Sequence, residues 1–538
     1  MPSIVTRFYR NDNAEHFIQN FGEEGGYYFF LANLNDWTGD PPTPTQKIED
    51  IDFRIWDKII AMKRIVVSDL SLVIPRYNWT SGTVYKKYKS YENIFSGLSA
   101  ANTFYIVTSD FRVYKCIDNN RGTQSTIEPK QTDLINTFKT SDGYEWKYMY
   151  PIIGSDIQKF ISSEYIPIKF AETVNNFNTE QFNIQLAAIK GSVDTIDVTA
   201  NGSNYVNFSG QISGYTNTTV LTIDVTGANR VDDDFYNGCD LFVERGTGLG
   251  QLVEISDYDA ALAKITLGTA LSQDLTIQSA DEPSFIRIGP KVTIKTDGTT
   301  QSTAYANINP LTSNGVNYIT VVNKGVGSNR GTITITDSTF IGATGSGATA
   351  EMNFSPTKGH GSNAVRELHN GALMFNVRLS KNEEEDLLET SNYGTYGLLQ
   401  YPEYANGTVV TNTAINNTTR LNLSGVSSAS LTNATALTSW KVEGLTSFAT
   451  ANAVTFVSNF DGANGTLSIT NGEYTNGEFF TTGETIRLDN DISYQGVLDS
   501  ITYSTVQPYT GEVLYIENRE QITRNPLQIE DFKIIVQY

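Results

Sequence analysis

Helical spacing opens the chain: Ala14, Phe17, Ile18 and Phe21 recur at intervals of three and four, behind Asp12 or Asn13 as a cap. Gly25 and Gly26 break that pattern, and the unbroken apolar run 27–32 predicts a buried strand. Beyond Trp37, the prolines Pro41, Pro42 and Pro44 fix φ and predict a stiff, extended link. Ile48, Ile51, Ile55, Ile59 and Met62 again repeat at three and four. That spacing predicts an amphipathic helix of about four turns, with Arg54, Lys58 and Lys63 facing solvent. Strand patterns follow at 72–75 (ending at Pro75 before Arg76 and Trp79), 104–107 and 111–117. Another covers 144–150, entered through the turn residues Ser141, Asp142 and Gly143.

From about residue 185 the texture becomes rich in Thr, Asn, Ser and Gly. An alternating strand at 194–199 leads into Asn201, Gly202, Ser203 and Asn204, and it has an echo at 317–322 that leads into Gly327, Ser328 and Asn329. Two such copies predict a repeated β-module; a solenoid needs more copies at a fixed period. Residues 241–255 predict a hairpin. Strong strands are predicted at 372–379 and 394–401, the second ended by Pro402. The Thr/Asn/Gly-rich texture returns over 409–500, with a hairpin expected at 479–487. Alternation at 513–518 and the apolar run 532–536 predict two closing strands.

A chain of 538 residues is too long for one core, so several domains are expected. Only 18 % of the residues are charged, and 29 Tyr and 27 Phe accompany the small polar residues. That is the composition of short strands joined by turns. The expected fold class is mostly β with some α (α+β), multidomain, with a discontinuous scaffold and inserted antiparallel β modules. A formal charge of −21 argues against a surface that tracks phosphates, so no nucleic-acid partner is expected. Cys116 and Cys239 lie far apart and are expected as reduced, buried thiols. The first residues lack the basic-then-apolar pattern of a signal peptide, and no apolar run approaches bilayer length. The Asn-x-Ser/Thr triplets at Asn78, Asn207, Asn217 and Asn417 are then by-products of composition. The expectation is a soluble protein made in a cytosol, without membrane insertion.

No catalytic, cofactor-binding or metal-binding residues are expected. The histidines are His16, His360 and His369, and the last two flank Arg366 and Glu367 at a spacing that fits no usual zinc pattern. A structural or surface role is expected for them. Glu383, Glu384, Glu385 and Asp386, with Glu389 beyond, read as a solvated helix start favoured by the helix dipole. Gly246, Gly248 and Gly250 lack the Lys-Ser/Thr of a phosphate loop and read as a hairpin turn. Trp, Tyr and Arg supply the desolvated anchors of interfaces, which singles out Trp37, Arg76, Trp79, Trp146 and Arg519. The tryptophans can equally be core. Arg76 and Arg519 are expected in buried ion pairs, with Glu517 as a partner, fixing the C-terminal strand against the N-terminal domain.

Gly511, Glu512, Tyr515, Glu517, Asn518 and Arg519 form a string that resembles the C-terminus of a baseplate wedge subunit, gene product 8 of T-even-type contractile-tailed phages. Ordered matches precede it: Trp37, Pro41, Pro42, Trp56, then Ile74, Pro75, Arg76 and Trp79, then Tyr114 and Cys116, then Gly143, Tyr144 and Trp146. The resemblance divides the chain into a family scaffold at 1–184, 356–408 and 501–538, with β-rich insertions at 185–355 and 409–500. It implies a non-enzymatic structural component of the phage tail baseplate wedge, made in the bacterial host cytoplasm and located in the virion. It also implies a homodimer that binds other baseplate wedge proteins. A receptor- or glycan-binding tail adhesin is the alternative that the β-rich insertions suggest.

Overall fold

The computed structural model describes residues 4–23, 26–33, 42–176, 178–225, 232–273, 275, 284–379, 387–388, 390–426, 435–437, 440–458, 463–470, 479–525 and 528–538. The chain is mostly β and separates into two compact units. One comprises Met1–Val73, Gln158–Ile161 and Gly371–Tyr538; the other comprises Ile74–Ile157 and Ser162–Asn370.

In the first unit a five-stranded antiparallel sheet runs in the order Ala414–Asn416, Ile59–Arg64, Tyr27–Ala32, Asn392–Gln400, Glu512–Thr523. Tyr27–Ala32 is central and every one of its residues is buried, which explains its unbroken apolar sequence. Glu530–Gln537 pairs with Ala372–Leu379, which in turn pairs with residues 70–72 of a third strand. Phe29 of the first sheet meets Phe532 of the second at 4.7 Å between ring centroids. The helix Arg7–Glu23 adds Phe21, whose ring stacks on Tyr27 at 3.8 Å. These residues are distant in sequence and share one aromatic core.

The long helix expected over 48–62 is not formed. Helical turns end at Lys58, and Ile59–Arg64 is a strand. Ile59, Ile60, Ala61 and Met62 are consecutive and all buried, whereas Ile48 is 74 % exposed. A contiguous buried run suits an inner strand, and the three-and-four spacing through it was coincidental.

The same unit carries a β-barrel. The strands Thr419–Ser424, Lys441–Gly444, Thr450–Ser458, Gly465–Ile469, Thr485–Leu488 and Asp491–Thr502 pair antiparallel, and the pairing of the third with the fourth closes them into a ring. Leu421, Val442, Phe456, Leu467, Ile486 and Leu498 fill it. Thr485–Leu488 turns through Asp489 and Asn490, both with positive φ, into Asp491–Thr502. The hairpin expected at 479–487 therefore lies further along the chain.

In the second unit the expected strands of the aromatic-rich region form a sheet in the order Tyr105–Val107, Arg112–Asp118, Glu145–Pro151, Phe138–Lys139. A second sheet runs Thr303–Asn309, Gly315–Asn323, Val193–Ser203, Ser346–Phe354. The two echoing segments are thus neighbouring strands of one sheet, not separate modules, and pool Val193, Ile196, Val316 and Ile319 in one core. Between them in sequence lies a closed barrel of Phe208–Asn217, Val220–Ile223, Asp240–Arg245, Leu252–Asp259, Lys264–Leu267 and Phe285–Gly289.

The two barrels share one cyclic strand order. Numbered along the chain, the barrel of the second unit closes as 1-2-5-4-3-6, and that of the first unit as 1-4-3-2-5-6. Advancing every number of the latter by one, so that six becomes one, gives the former. In both, the entering and leaving strands are paired neighbours: Phe208 faces Ile288 in one, and Arg420 faces Thr502 in the other.

Candidate functional site

The residues singled out in the sequence occupy different environments. Trp37, Pro41, residues 383–386 and residue 389 lie outside the described residues. Trp146 is fully buried, with its ring 5.5 Å from Tyr144 and 5.7 Å from Tyr85. Trp79 is half-buried beside the same cluster, and its Nε1 donates to Ser125 Oγ at 3.1 Å. Both tryptophans therefore serve the core of the second unit. Arg76, half-buried, donates to Asn78 Oδ1 at 2.9 Å and to the Ser162 carbonyl at 2.9 Å. Its expected carboxylate partner is replaced by amide and carbonyl oxygens.

Glu517 and Arg519 form an ion pair, but on the surface: the Arg519 side chain is 64 % exposed and Glu517 25 %. Strand alternation puts Tyr515, Glu517 and Arg519 on one face of Glu512–Thr523. Tyr515 donates its hydroxyl to Glu517, and Arg519 Nε donates to Tyr396 Oη at 3.1 Å. The expected buried clasp lies five residues on. Arg524 is fully buried; its Nε reaches Glu530 Oε1 and Oε2 at 3.0 and 3.1 Å. The remaining donors of that guanidinium reach the carbonyls of Leu388 and Gln528, each at 2.8 Å. Sequence periodicity gave no signal for it, because Arg524 follows the strand.

The second unit holds a buried charge cluster that the sequence reading did not assemble. Lys115 Nζ lies 2.9 Å from Glu367 Oε2 and 3.0 Å from His360 Nδ1, and His360 Nε2 lies 2.7 Å from Asp194 Oδ2. A lysine ammonium can only donate, so Nδ1 accepts and the Nε2 proton points at Asp194. The strand Arg112–Asp118 positions Lys115, Val193–Ser203 positions Asp194, and the short helix Ala364–Leu368, capped by Asn363 Oδ1, positions Glu367. Burial would push the Glu367 carboxyl up, but the Lys115 ammonium outweighs it and holds it at about 2. Burial likewise opposes ionisation of Asp194, yet His360 holds its carboxyl below the usual range. His360 is thereby tied into this cluster, and His369 is fully buried.

Nearby, burial lowers the Lys147 amine to about 8, and its Nζ donates to the carbonyls of Leu134 and Ile135 at 2.9 and 3.0 Å. Cys116 and Cys239 are free, buried thiols, and burial pushes both upward. Gly246, Gly248 and Gly250 sit in the turn between two barrel strands. Among the described residues no three His, Cys, Asp or Glu side chains are placed to hold a metal ion, and no helix is long and apolar enough to cross a membrane.

No known protein family matches this chain, and no curated protein is significantly similar to it. What the geometry offers chemically is interlocking: two closed charge clusters, each joining segments far apart in sequence, and a surface ladder of Tyr396, Tyr515, Glu517 and Arg519.

Proposed function

We propose that this chain is a structural subunit of the baseplate wedge of a contractile phage tail, binding neighbouring wedge proteins as a homodimer and acting without catalysis. One observation carries this reading. The strand bearing the resembling C-terminal string, Glu512–Thr523, pairs with Asn392–Gln400, which pairs with Tyr27–Ala32. Strands from the expected scaffold ranges at both ends of the chain therefore share one sheet, to which Ala414–Asn416, from the start of the second expected insertion, adds an edge strand. A scaffold of this kind suits large-area binding and rigid-body rearrangement. The Tyr396, Tyr515 and Arg519 ladder supplies side chains of the types that anchor interfaces.

Cross-linking mass spectrometry on purified tail particles tests the proposal. Links from this chain to other baseplate proteins are expected. A particle that lacks the chain would sink the reading. Sedimentation of the purified chain should give a dimer; a trimer would favour the receptor-binding alternative.

A further inference from the structure

The strand Glu512–Thr523 lies at one end of the five-stranded sheet of the first unit, and no described strand pairs with its outer side. Its sequence contains neither proline nor lysine, the residues that commonly blunt such an edge. The register to Asn392–Gln400 shifts at Leu514 and again beyond Asn518. Leu514 and the run Arg519, Glu520, Gln521 therefore face no residue of that neighbour. Peptide groups released from one ladder are available to another. Leu514 and Ile522 are 42 % and 44 % exposed, which leaves two large apolar side chains on the same outermost strand.

Read in reverse, this strand is complementary to itself. In an antiparallel pair, side chains directly opposite each other interact, so opposite charges attract and like charges repel across the ladder. A two-fold axis at Asn518 sets Glu517 opposite Arg519 of a second copy, and symmetry repeats the pair. It also sets Leu514 opposite Ile522 and Tyr515 opposite Gln521. An axis at Glu517, Arg519 or Glu520 would set that residue against its own like charge, and an axis at Ile516 would set Glu512 against Glu520. Asn518 suits the axis because it is neutral and its amide is already engaged within its own unit. Its Nδ2 donates to the Pro42 carbonyl at 2.7 Å, and its Oδ1 accepts from Thr395 Oγ1 at 2.8 Å.

We propose that Glu512–Thr523 pairs antiparallel with the same strand of a second copy, about a two-fold axis at Asn518, so that two sheets become one. The interface rests on the homodimer proposed above, which it makes specific. The Glu517–Arg519 ion pair of each strand joins its symmetry mate in a cluster of four charges across the axis, while Arg519 Nε keeps its bond to Tyr396. A contact of this kind is isologous and closes on itself, so the open edge is consumed without recruiting further copies.

Sedimentation of the full chain across a concentration series reads the dimer. Arg519→Glu sets carboxylates against each other at both symmetric positions and should weaken the dimer about a hundredfold or more. Glu517→Arg should do the same with guanidinium groups. The double variant Glu517→Arg, Arg519→Glu restores opposite charges in the same register and should recover the dimer to within about tenfold of the wild type. Hydrogen exchange in the central strand Tyr27–Ala32 checks that each variant is folded. In the wild-type chain, the amides of Arg519, Glu520 and Gln521 should exchange more slowly in the dimer than in the diluted monomer. Equal exchange rates overturn this interface and leave the homodimer standing, as does a dimer indifferent to the single reversals or a folded double variant that stays monomeric. A wild-type chain that is monomeric throughout overturns both.

Discussion

Arg519 and Arg524 stand five positions apart and have opposite fates. Arg519 ends in solvent, where an ion pair contributes about 0–1 kcal/mol, so Arg519→Ala should barely move a urea midpoint. Arg524→Ala removes the guanidinium that neutralises the Glu530 carboxylate in the core and should destabilise the first unit by about 3–5 kcal/mol in the same measurement. Equal effects of the two substitutions would refute this distinction. Charge reversal at Arg519 is then a probe of assembly, not of folding. In the second unit, the Glu367 carboxyl is held at about 2, below its ordinary 4.5. A carboxyl depressed in the fold contributes stability above its ordinary value, and that contribution disappears as pH falls toward the depressed one. The second unit should therefore lose stability between about pH 4.5 and 2, and Glu367→Gln should flatten that slope in urea titrations at stepped pH. An unchanged slope would assign the acid sensitivity elsewhere. Chemistry of this kind was only half legible in the sequence. The charged residue types were visible, but Lys115, Asp194, His360 and Glu367 are brought together by tertiary folding alone, with no spacing to announce it.

Strands declared themselves where their burial is simple. Tyr27–Ala32 lies inside a sheet and reads as an unbroken apolar run, and Ala372–Leu379, also internal, opens with four apolar residues. Arg112–Asp118 and Glu145–Pro151 were legible from their aromatic and β-branched residues. Ile59–Arg64 was misread because a four-residue buried run also satisfies helical spacing, and length could not arbitrate once the preceding helical turns were joined to it. Glycine in a strand carried a message that pattern reading passes over. Gly397 faces Ile516 across the ladder, and a Cβ there would meet the Tyr515 carbonyl and the Phe30 ring. Gly397→Ala should force the two strands apart and lower stability by about 1–3 kcal/mol, read as a drop in thermal midpoint. A neutral substitution would mean that the ladder has slack.

For the whole molecule, texture marked where the β-rich regions begin but not what they build: a change to Thr, Asn and Gly is visible in sequence, whereas ring closure depends on pairings between distant strands. The barrel of the first unit leaves its parent through adjacent strands, and at its neck Ser504 Oγ donates to Asn417 Oδ1 at 2.8 Å. Replacing residues 419–502 with a short Gly-Ser linker should leave the remaining sheets of that unit folded, with proteolytic fragments unchanged outside the deletion. Loss of the parent's cooperative transition would show that the barrel is needed to hold its host together. The shared strand order has an orientational consequence. Successive strands of an antiparallel ring run alternately up and down, so moving the chain's entry point by one strand moves the attachment to the opposite rim. Each barrel is tethered by the rim that the other leaves free. The loops one barrel turns toward its own root therefore correspond to those the other displays, and a single closed architecture presents two different faces to whatever lies beyond it.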